Sequence, residues 1–307
     1  MILADGWKDY LILDTGDGEK LESWNGRVLR RPDPQVIWPR SKPMKTWEDV
    51  DARYYRSNKG GGNWEKYSKL PTSWTISYDL TAPGHEALLR FHVEPTGFKH
   101  TGIFPEQAAN WSWMYEKITA ARQSREKINV LNLFAYTGAA TVACAAAGAN
   151  VCHVDAAKGM VQRAKENLAL SELADKPVRF IVDDVMKFVQ REKNRGNQYD
   201  GIIMDPPSFG RGPSGEMWKL EEQLFALVDA CTEVLSDDPL FFVINSYTTG
   251  LQPLVLSNIL HSTVGALHPN GAVQAEELGI PVVESKIVLP CGATGRWSKS
   301  EPKMESK

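Results

Sequence analysis

Nothing in these 307 residues approaches the run of roughly 20 apolar residues that a membrane-spanning helix needs. The opening segment, MILADGWKDYLILD, breaks its apolar residues with acids where a secretion signal would be continuous. The expectation is a cytoplasmic protein. Cysteine is scarce: Cys144, Cys152, Cys231 and Cys291 are the four, and none stands in a CxxC pair. Each falls inside an expected helix or strand, which argues against a disulfide framework and against a metal centre. Positive charge is not in excess either. With 35 Lys+Arg against 38 Asp+Glu the formal net charge is -3, so any nucleic-acid contact must come from a local patch. No internal repeat is visible, and the only low-complexity patch is KGGGN at 59–63. What is present is ordinary for a globular chain, 42% hydrophobic and 24% charged, with length for one large or two moderate domains.

The most informative stretch is INVLNLFAYTGAATVACAAAGANVCHVD, residues 128–155. Val130, Leu131, Leu133 and Phe134 read as a strand buried on both faces. Ala135, Tyr136, Thr137 and Gly138 form a turn in which the glycine permits positive φ or close approach of a ligand. A helix of small residues over 139–147 can lie tightly on a sheet, and Gly148 is placed to end it. A second strand, 150–154, then delivers Asp155. This is a βαβ unit with a carboxylate at the tip of its second strand, the geometry that holds a ribose by its hydroxyls. Many α/β cores have one such glycine turn, so the unit alone leaves a nucleotide-type cofactor at even odds.

Residues 1–97 have another character. They hold Trp7, Trp24, Trp38, Trp47, Trp64 and Trp74, six of the ten tryptophans. Short β-type runs (YLILD, RVLRR, VIW, Trp74–Asp79, ALLRFHV) alternate with turn signals, and we read a small antiparallel β domain. Within it Arg27, Arg30, Arg31, Arg40, Lys42 and Lys45 stand against one acid, Asp33, with tryptophans interspersed. Cations can neutralise phosphates and indoles can stack on unpaired bases. The alternative is a solvated surface over a Trp-rich core. Pro105 suits the first turn of a helix running through Trp111, Met114 and Ile118.

From Ile128 onward strands and helices alternate regularly. Strands at 178–182, 199–204 and 240–245 follow the first two, with helices at 160–170, 185–195, 217–235 and 253–261. A closing antiparallel pair is expected near 271–275 and 282–289, and a disordered tail over 298–307. The expected architecture is α/β: a doubly wound, Rossmann-like sheet over 98–297 with a smaller N-terminal β domain.

In such a sheet ligands bind at the carboxyl ends of the strands. Asn132 and the Tyr136–Gly138 turn, Asp155, Asp184, Asp205, and Asn245 with Ser246 follow the five strands in order. Each could be an ordinary strand-end cap, but together they describe a site. Asp205-Pro206-Pro207-Ser208-Phe209 is its most specific part. Two prolines set a rigid turn that aims the Asp205 carboxylate and the Pro206 carbonyl at one point, and Phe209 can lie flat on a base. A glycine-rich loop over 210–215 follows, expected to be mobile, with Arg211 able to meet a phosphate.

The segments NLFAYTGAAT, HVDAAKGMVQRAKENL, VDDVMKF and IIMDPPSFGRG, in this order, resemble the class I S-adenosylmethionine-dependent methyltransferases. Within them the likeness is to the group that modifies bases of bacterial large-subunit ribosomal RNA, which includes 23S cytosine-C5 and guanine-N7 enzymes. The resemblance covers roughly 130–250 and extends back through TGFKHTGIFPEQ. It implies the seven-stranded methyltransferase sheet. It also implies that Phe134, Ala135, Tyr136 and Gly138 hold the methionine part of S-adenosyl-L-methionine, that Asp155 binds the ribose, and that Asp184 with the Val185 amide reads the adenine. Asp205, Pro206 and Phe209 would face the methyl and the target base, with Gln107 near the cofactor. Two departures matter. The segment after the fifth strand, NSYTT, lacks the cysteine nucleophile of the cytosine-C5 enzymes, so direct transfer to nitrogen fits better. The N-terminal segment does not resemble the PUA domain often attached in this group, so Arg30, Arg31, Arg40, Lys42 and Arg211 become the expected RNA contacts. The resulting expectation is a methyltransferase acting on ribosomal RNA. The competing readings are a protein or small-molecule methyltransferase, and a non-catalytic RNA-binding factor that keeps the fold.

Overall fold

The computed structural model describes residues 1–57, 61–97, 99–211, 217–248 and 250–300, with the backbone only of Arg211. In chain order the elements begin with β1 (Ile2–Leu3), β2 (Tyr10–Gly16), β3 (Glu19–Trp24) and β4 (Arg27–Pro32). They continue with α1 (Met44–Glu48), β5 (Ala52–Arg56), β6 (Gly62–Lys66), β7 (Trp74–Ala82) and β8 (His85–Val93). A 3₁₀ turn, Pro105–Gln107, leads into α2 (Ala108–Arg122). Then come β9 (Asn129–Leu133), α3 (Ala139–Ala146), β10 (Asn150–Asp155), α4 (Lys158–Leu170), β11 (Val178–Val182), α5 (Val185–Arg195) and β12 (Gly201–Met204). The chain closes with β13 (Phe209–Arg211), β14 (Met217–Lys219), α6 (Leu220–Thr232), β15 (Phe241–Ser246), α7 (Pro253–Ser262), α8 (Val264–Leu267), β16 (Gly271–Pro281) and β17 (Val288–Lys299).

The main sheet has eight strands in the order β1-β16-β17-β15-β12-β9-β10-β11. β9, β10, β11, β12 and β15 are parallel, whereas β17 runs antiparallel to both its neighbours. Its central strands are largely apolar because both faces are covered. Along them side chains alternate with period two. Val130, Ile203, Phe241 and Val243 join a core with Met114 and Ile118 of α2 and Val142 of α3. Leu131, Leu133, Ile202, Met204, Phe242 and Ile244 join the opposite one with Phe188, Leu224, Leu227 and Leu256. The chain leaves β9 toward β10 and β11, then returns to the other side at β12. The crevice between the carboxyl ends of β9 and β12 is therefore the topological switch point, where open α/β sheets place ligands.

The N-terminal strands form a five-stranded sheet, β2-β3-β4-β5-β6, and a two-stranded hairpin, β7-β8. The hairpin lies on α2, where Trp111 meets the rings of Tyr78, Phe91 and Trp7. One apolar core runs from Trp24 and Ile76 through Trp111 to Val130 in the main sheet. The tryptophans of this region are structural: Trp24 and Trp47 are fully buried, and Trp7 and Trp74 nearly so.

Four sequence expectations shift. The main sheet has an eighth strand, because Ile2 and Leu3 pair in parallel with Leu278 and Gly279. Met217–Lys219, expected to open a helix, instead pairs with Phe209–Arg211 as a hairpin, and the helix starts at Leu220. Val36–Trp38 is not a strand. The closing pair is far longer than expected, 11 and 12 residues. Residues 283–287 form its turn, and it runs on to Lys299, so Ser298 and Lys299 belong to the sheet rather than to a tail. The remainder of the expected tail, 301–307, and residues 212–215 of the expected mobile loop lie outside the described residues, as do Lys59 and Gly60 of the KGGGN patch. Among the described residues no helix is long and apolar enough to cross a membrane, and no group of three or more His, Cys, Asp or Glu could hold a metal ion.

Candidate functional site

The turn between β9 and α3 is built from left-handed backbone. Phe134 has φ 53°, Tyr136 φ 49° and Gly138 φ 81°. Side-chain-bearing residues seldom adopt such angles, at a cost on the order of 1–3 kcal/mol each. At Gly138 a side chain is excluded twice, since an added Cβ would also lie 2.7 Å from the Cβ of Ala164 in α4. Asp155 braces the turn. Its Oδ2 accepts from the Tyr136 amide at 2.8 Å and its Oδ1 from the Ala157 amide at 2.8 Å. Each oxygen keeps a second lone pair for a ligand hydroxyl. Burial nevertheless pushes this carboxyl above its ordinary range, against the pull of both amides.

Asp184, after β11, caps α5 by accepting from the Lys187 amide at 2.9 Å. The Val185 amide stands in the first helical turn, where no helical carbonyl reaches it. After β12, Asp205 is half-buried and its Oδ1 has no hydrogen-bond partner. Burial, reinforced by the Glu106 carboxyl, raises its pKa to about 7. Pro207 and Ser208 are anchored from two sides. The Trp218 indole donates to the Pro207 carbonyl at 2.6 Å, and Thr248 Oγ1 donates to Ser208 Oγ at 2.6 Å. Phe209 projects with 59% of its surface exposed.

A cavity of about 50 Å³ lies between the β9–α3 turn, the 3₁₀ turn before α2 and Asp205. Phe134, Ala135, Tyr136, Gly138, Gln107 and Asp205 all line it, with Asn110, Asn132 and Asn245. A wider concavity of about 790 Å³ lies at the opposite rim, at the amino ends of β9, β10 and β11. It contains none of the convergent carboxylates. Asp155, Asp184, Val185, Pro206 and Phe209 stand at strand ends on the carboxyl rim but do not line the cavity.

The expected RNA contacts fall elsewhere. Arg30 is 6% exposed, donates to Glu19 at 3.0 Å and lies over the Trp47 ring. Arg31, also 6% exposed, makes two bonds to the fully buried Glu22 at 2.6 and 2.7 Å. Arg40 donates to Glu19 at 2.8 Å, and Lys42 stands 3.5 Å from Glu284. The acids that neutralise Arg30 and Arg31 sit on β3, which pairs antiparallel with β4. A count of charges within 27–45 misses them, because a strand's charge is balanced by its neighbour. Arg30, Arg31 and Arg40 are thus structural ion pairs rather than a free basic face. Burial pushes the Glu22 carboxyl up, but Arg31 and Lys20 beside it leave it below the usual range. The Arg211 side chain lies outside the described residues.

Sequence reasoning assigned no role in the site to Tyr247, Phe104, Trp218 or Cys291. Tyr247 directly follows β15, so the strand-end rule could have found it. Trp218 was hidden inside an expected helix. Cys291, on β17, is half-buried, and its thiol is pushed well above its ordinary range by burial and by the Glu106 charge. It is a poor nucleophile in that state.

A family model described as S-adenosylmethionine-dependent methyltransferase matches residues 72–241. The crystal structure of the SAM-dependent methyltransferase from Agrobacterium tumefaciens superposes with a TM-score of 0.88 at 36% identity, covering 97% of this chain and 93% of that one. The ribosomal RNA large subunit methyltransferase K/L of Shewanella sp. strain ANA-3 is 34% identical over 122 residues, 39% of this chain and 16% of the relative. The ribosomal RNA large subunit methyltransferase I of Enterobacter sp. strain 638 is 31% identical over 142 residues, 45% of this chain and 34% of the relative. The chain thus spans about a sixth to a third of the length of these curated relatives.

Proposed function

We propose that this chain, which belongs to the S-adenosylmethionine-dependent methyltransferase family, methylates a base of RNA, most simply ribosomal RNA, at nitrogen and in the cytoplasm. The observation that carries the reading is Asp205: a buried carboxylate oxygen without a partner, facing the switch-point cavity, with a pKa of about 7.

The residues present fit the cofactor. The two spare lone pairs of Asp155 match the two hydroxyls of a ribose. Asp184 and the Val185 amide offer an acceptor and a donor side by side for an adenine edge. The cavity between Phe134, Tyr136, Gly138 and Gln107 suits the methionine end. When bound, S-adenosylmethionine supplies an electrophilic methyl group. Asp205 and the Pro206 carbonyl accept hydrogen bonds from the attacking nitrogen and orient its lone pair. Asp205 then takes the proton that nitrogen must lose, a task matched to a pKa near the working pH. Phe209 offers its exposed face to the target base. Transfer to carbon would need a thiolate, and the high thiol pKa of Cys291 argues against one here.

The RNA assignment draws on the names of the curated relatives. One observation favours a second reading, a protein or small-molecule substrate: the arginines expected to grip phosphates are already paired internally. Two measurements decide. Mass spectrometry of ribosomal RNA nucleosides from a strain lacking this gene should show one methylated base missing, and an unchanged profile overturns the ribosomal target. Filter binding to RNA at 50 and 200 mM salt should show affinity falling steeply with salt, and no measurable binding at either concentration favours the second reading.

A further inference from the structure

Behind the Asp205 cavity runs a chain of oriented hydrogen bonds. Arg296 Nε donates to Asn110 Oδ1 at 2.8 Å, Asn110 Nδ2 donates to Gln107 Oε1 at 2.7 Å, and Gln107 Nε2 donates to the Tyr247 hydroxyl at 2.7 Å. Because the guanidinium can only donate, both amides are forced into one orientation. The Tyr247 hydroxyl therefore accepts from Gln107 and directs its own proton elsewhere. Burial holds the nearly buried Glu106 carboxyl above its ordinary range, and the Tyr247 hydroxyl beside it pulls partly the other way. Such a chain, started by a cation, polarises every link from Arg296 to Tyr247 in the same sense.

The Tyr247 ring is fixed as firmly as its hydroxyl. It stands 5.6 Å from Phe104, which stands 5.4 Å from Tyr136 in the β9–α3 turn. Beneath it β17 comes close at Gly292, where φ is 141° and an added Cβ would sit 3.0 Å from Tyr247 Cδ1. On its C-terminal side Thr248 is tied to Ser208 of the Asp205–Phe209 turn. Yet 37% of Tyr247 remains exposed. An aromatic ring approached by backbone at Gly292, packed against Phe104, tied through Gln107 to the cavity that Asp205 lines, and still 37% exposed can receive a flat ligand.

We infer that Tyr247 is a specificity-determining residue of the methyl-transfer site: its ring is the wall on which the target base stacks, opposite Phe209, and Gln107 holds that wall in place. The inference rests on the base-methylating reading above. It assigns Gln107 a positioning role toward the acceptor substrate in addition to its place in the cofactor cavity.

The test uses the full chain, tritiated S-adenosylmethionine and protein-free ribosomal RNA from a strain lacking this gene. Tyr247→Ala should raise the KM for RNA or lower kcat/KM by about tenfold or more, the loss expected for one stacked base. Its dissociation constant for S-adenosylhomocysteine, measured by calorimetry, should change less than about threefold, since stacking energy is lost only on the acceptor side. Tyr247→Phe keeps the ring and loses only the hydroxyl with its Gln107 contact, so its RNA KM should fall between those of the wild type and Tyr247→Ala. Tyr247→Phe also guards against a folding defect in the alanine variant: a low-activity Ala variant with the wild-type melting temperature and a partly rescued Phe variant support the inference. Unchanged RNA kinetics in Tyr247→Ala overturn it, as does equal loss of cofactor binding and RNA turnover. Wild-type protein that transfers no label to any RNA overturns the base-methylating reading and this assignment with it.

Discussion

Asp205 is where function and stability pull apart. Its carboxyl ionises near pH 7 in the folded chain, against 3.8 for an unperturbed aspartate. Between those values the folded state holds a proton that the unfolded chain has released. Stability therefore falls as pH rises through that window and levels off above about 7. A shift of about three units sets a ceiling near 4 kcal/mol. Asp205→Asn should accordingly melt higher than the wild type at pH 8 and no higher at pH 4, by calorimetry. The same variant should lose about 10²-fold or more in kcat, since its amide takes no proton. The wild-type rate should rise with pH through about 7, as the base form is the active one. Glu106→Gln removes a neighbouring negative charge, and the midpoint of that rise should move to lower pH. A midpoint that stays in place would remove Glu106 from the account of Asp205.

The β9–α3 turn was legible in the sequence because its demands are local: a glycine, a short apolar strand before it and an acid some twenty positions on. Gly138→Ala should confirm how tight it is. The positive φ alone costs on the order of 1–3 kcal/mol, and the contact with Ala164 adds to it. Calorimetric titration with S-adenosylhomocysteine should show binding weakened at least tenfold, and near-wild-type binding would mean the turn can relax. The β3–β4 pair was not legible, for the opposite reason. Arg30 and Arg31 look free until Glu19 and Glu22 are brought alongside by strand pairing, which a linear charge count does not see. Removing one partner of the buried pair, as in Arg31→Ala, leaves Glu22 with only Lys20 at 3.9 Å and the Tyr10 hydroxyl, and should cost up to about 3–5 kcal/mol. Denaturant titration of that variant checks the value, and a loss under about 1 kcal/mol would mark the pair as solvent-screened.

The main α/β layering could be read because its strands and helices alternate with clear periods. The β13–β14 hairpin could not, since three-residue strands carry too little pattern to outweigh the helical composition that follows. The edge strand β1 was hidden as well, two residues whose partner lies at the far end of the chain. At the scale of the molecule these late recognitions matter, because a single apolar core runs from Trp24 to Val130. The N-terminal strands and the catalytic layer should therefore unfold together. Differential scanning calorimetry is expected to show one transition with equal calorimetric and van't Hoff enthalpies, and two resolved transitions would show that the halves are energetically separate.

Ile2 and Leu3 meet Leu278 and Gly279. This edge therefore closes only when two segments far apart in sequence meet. Until then the exposed margin of β16 has no cover, and neither has the segment that will cover it. Closure of the edge must overcome the loop entropy of that long separation before the pairing rewards it.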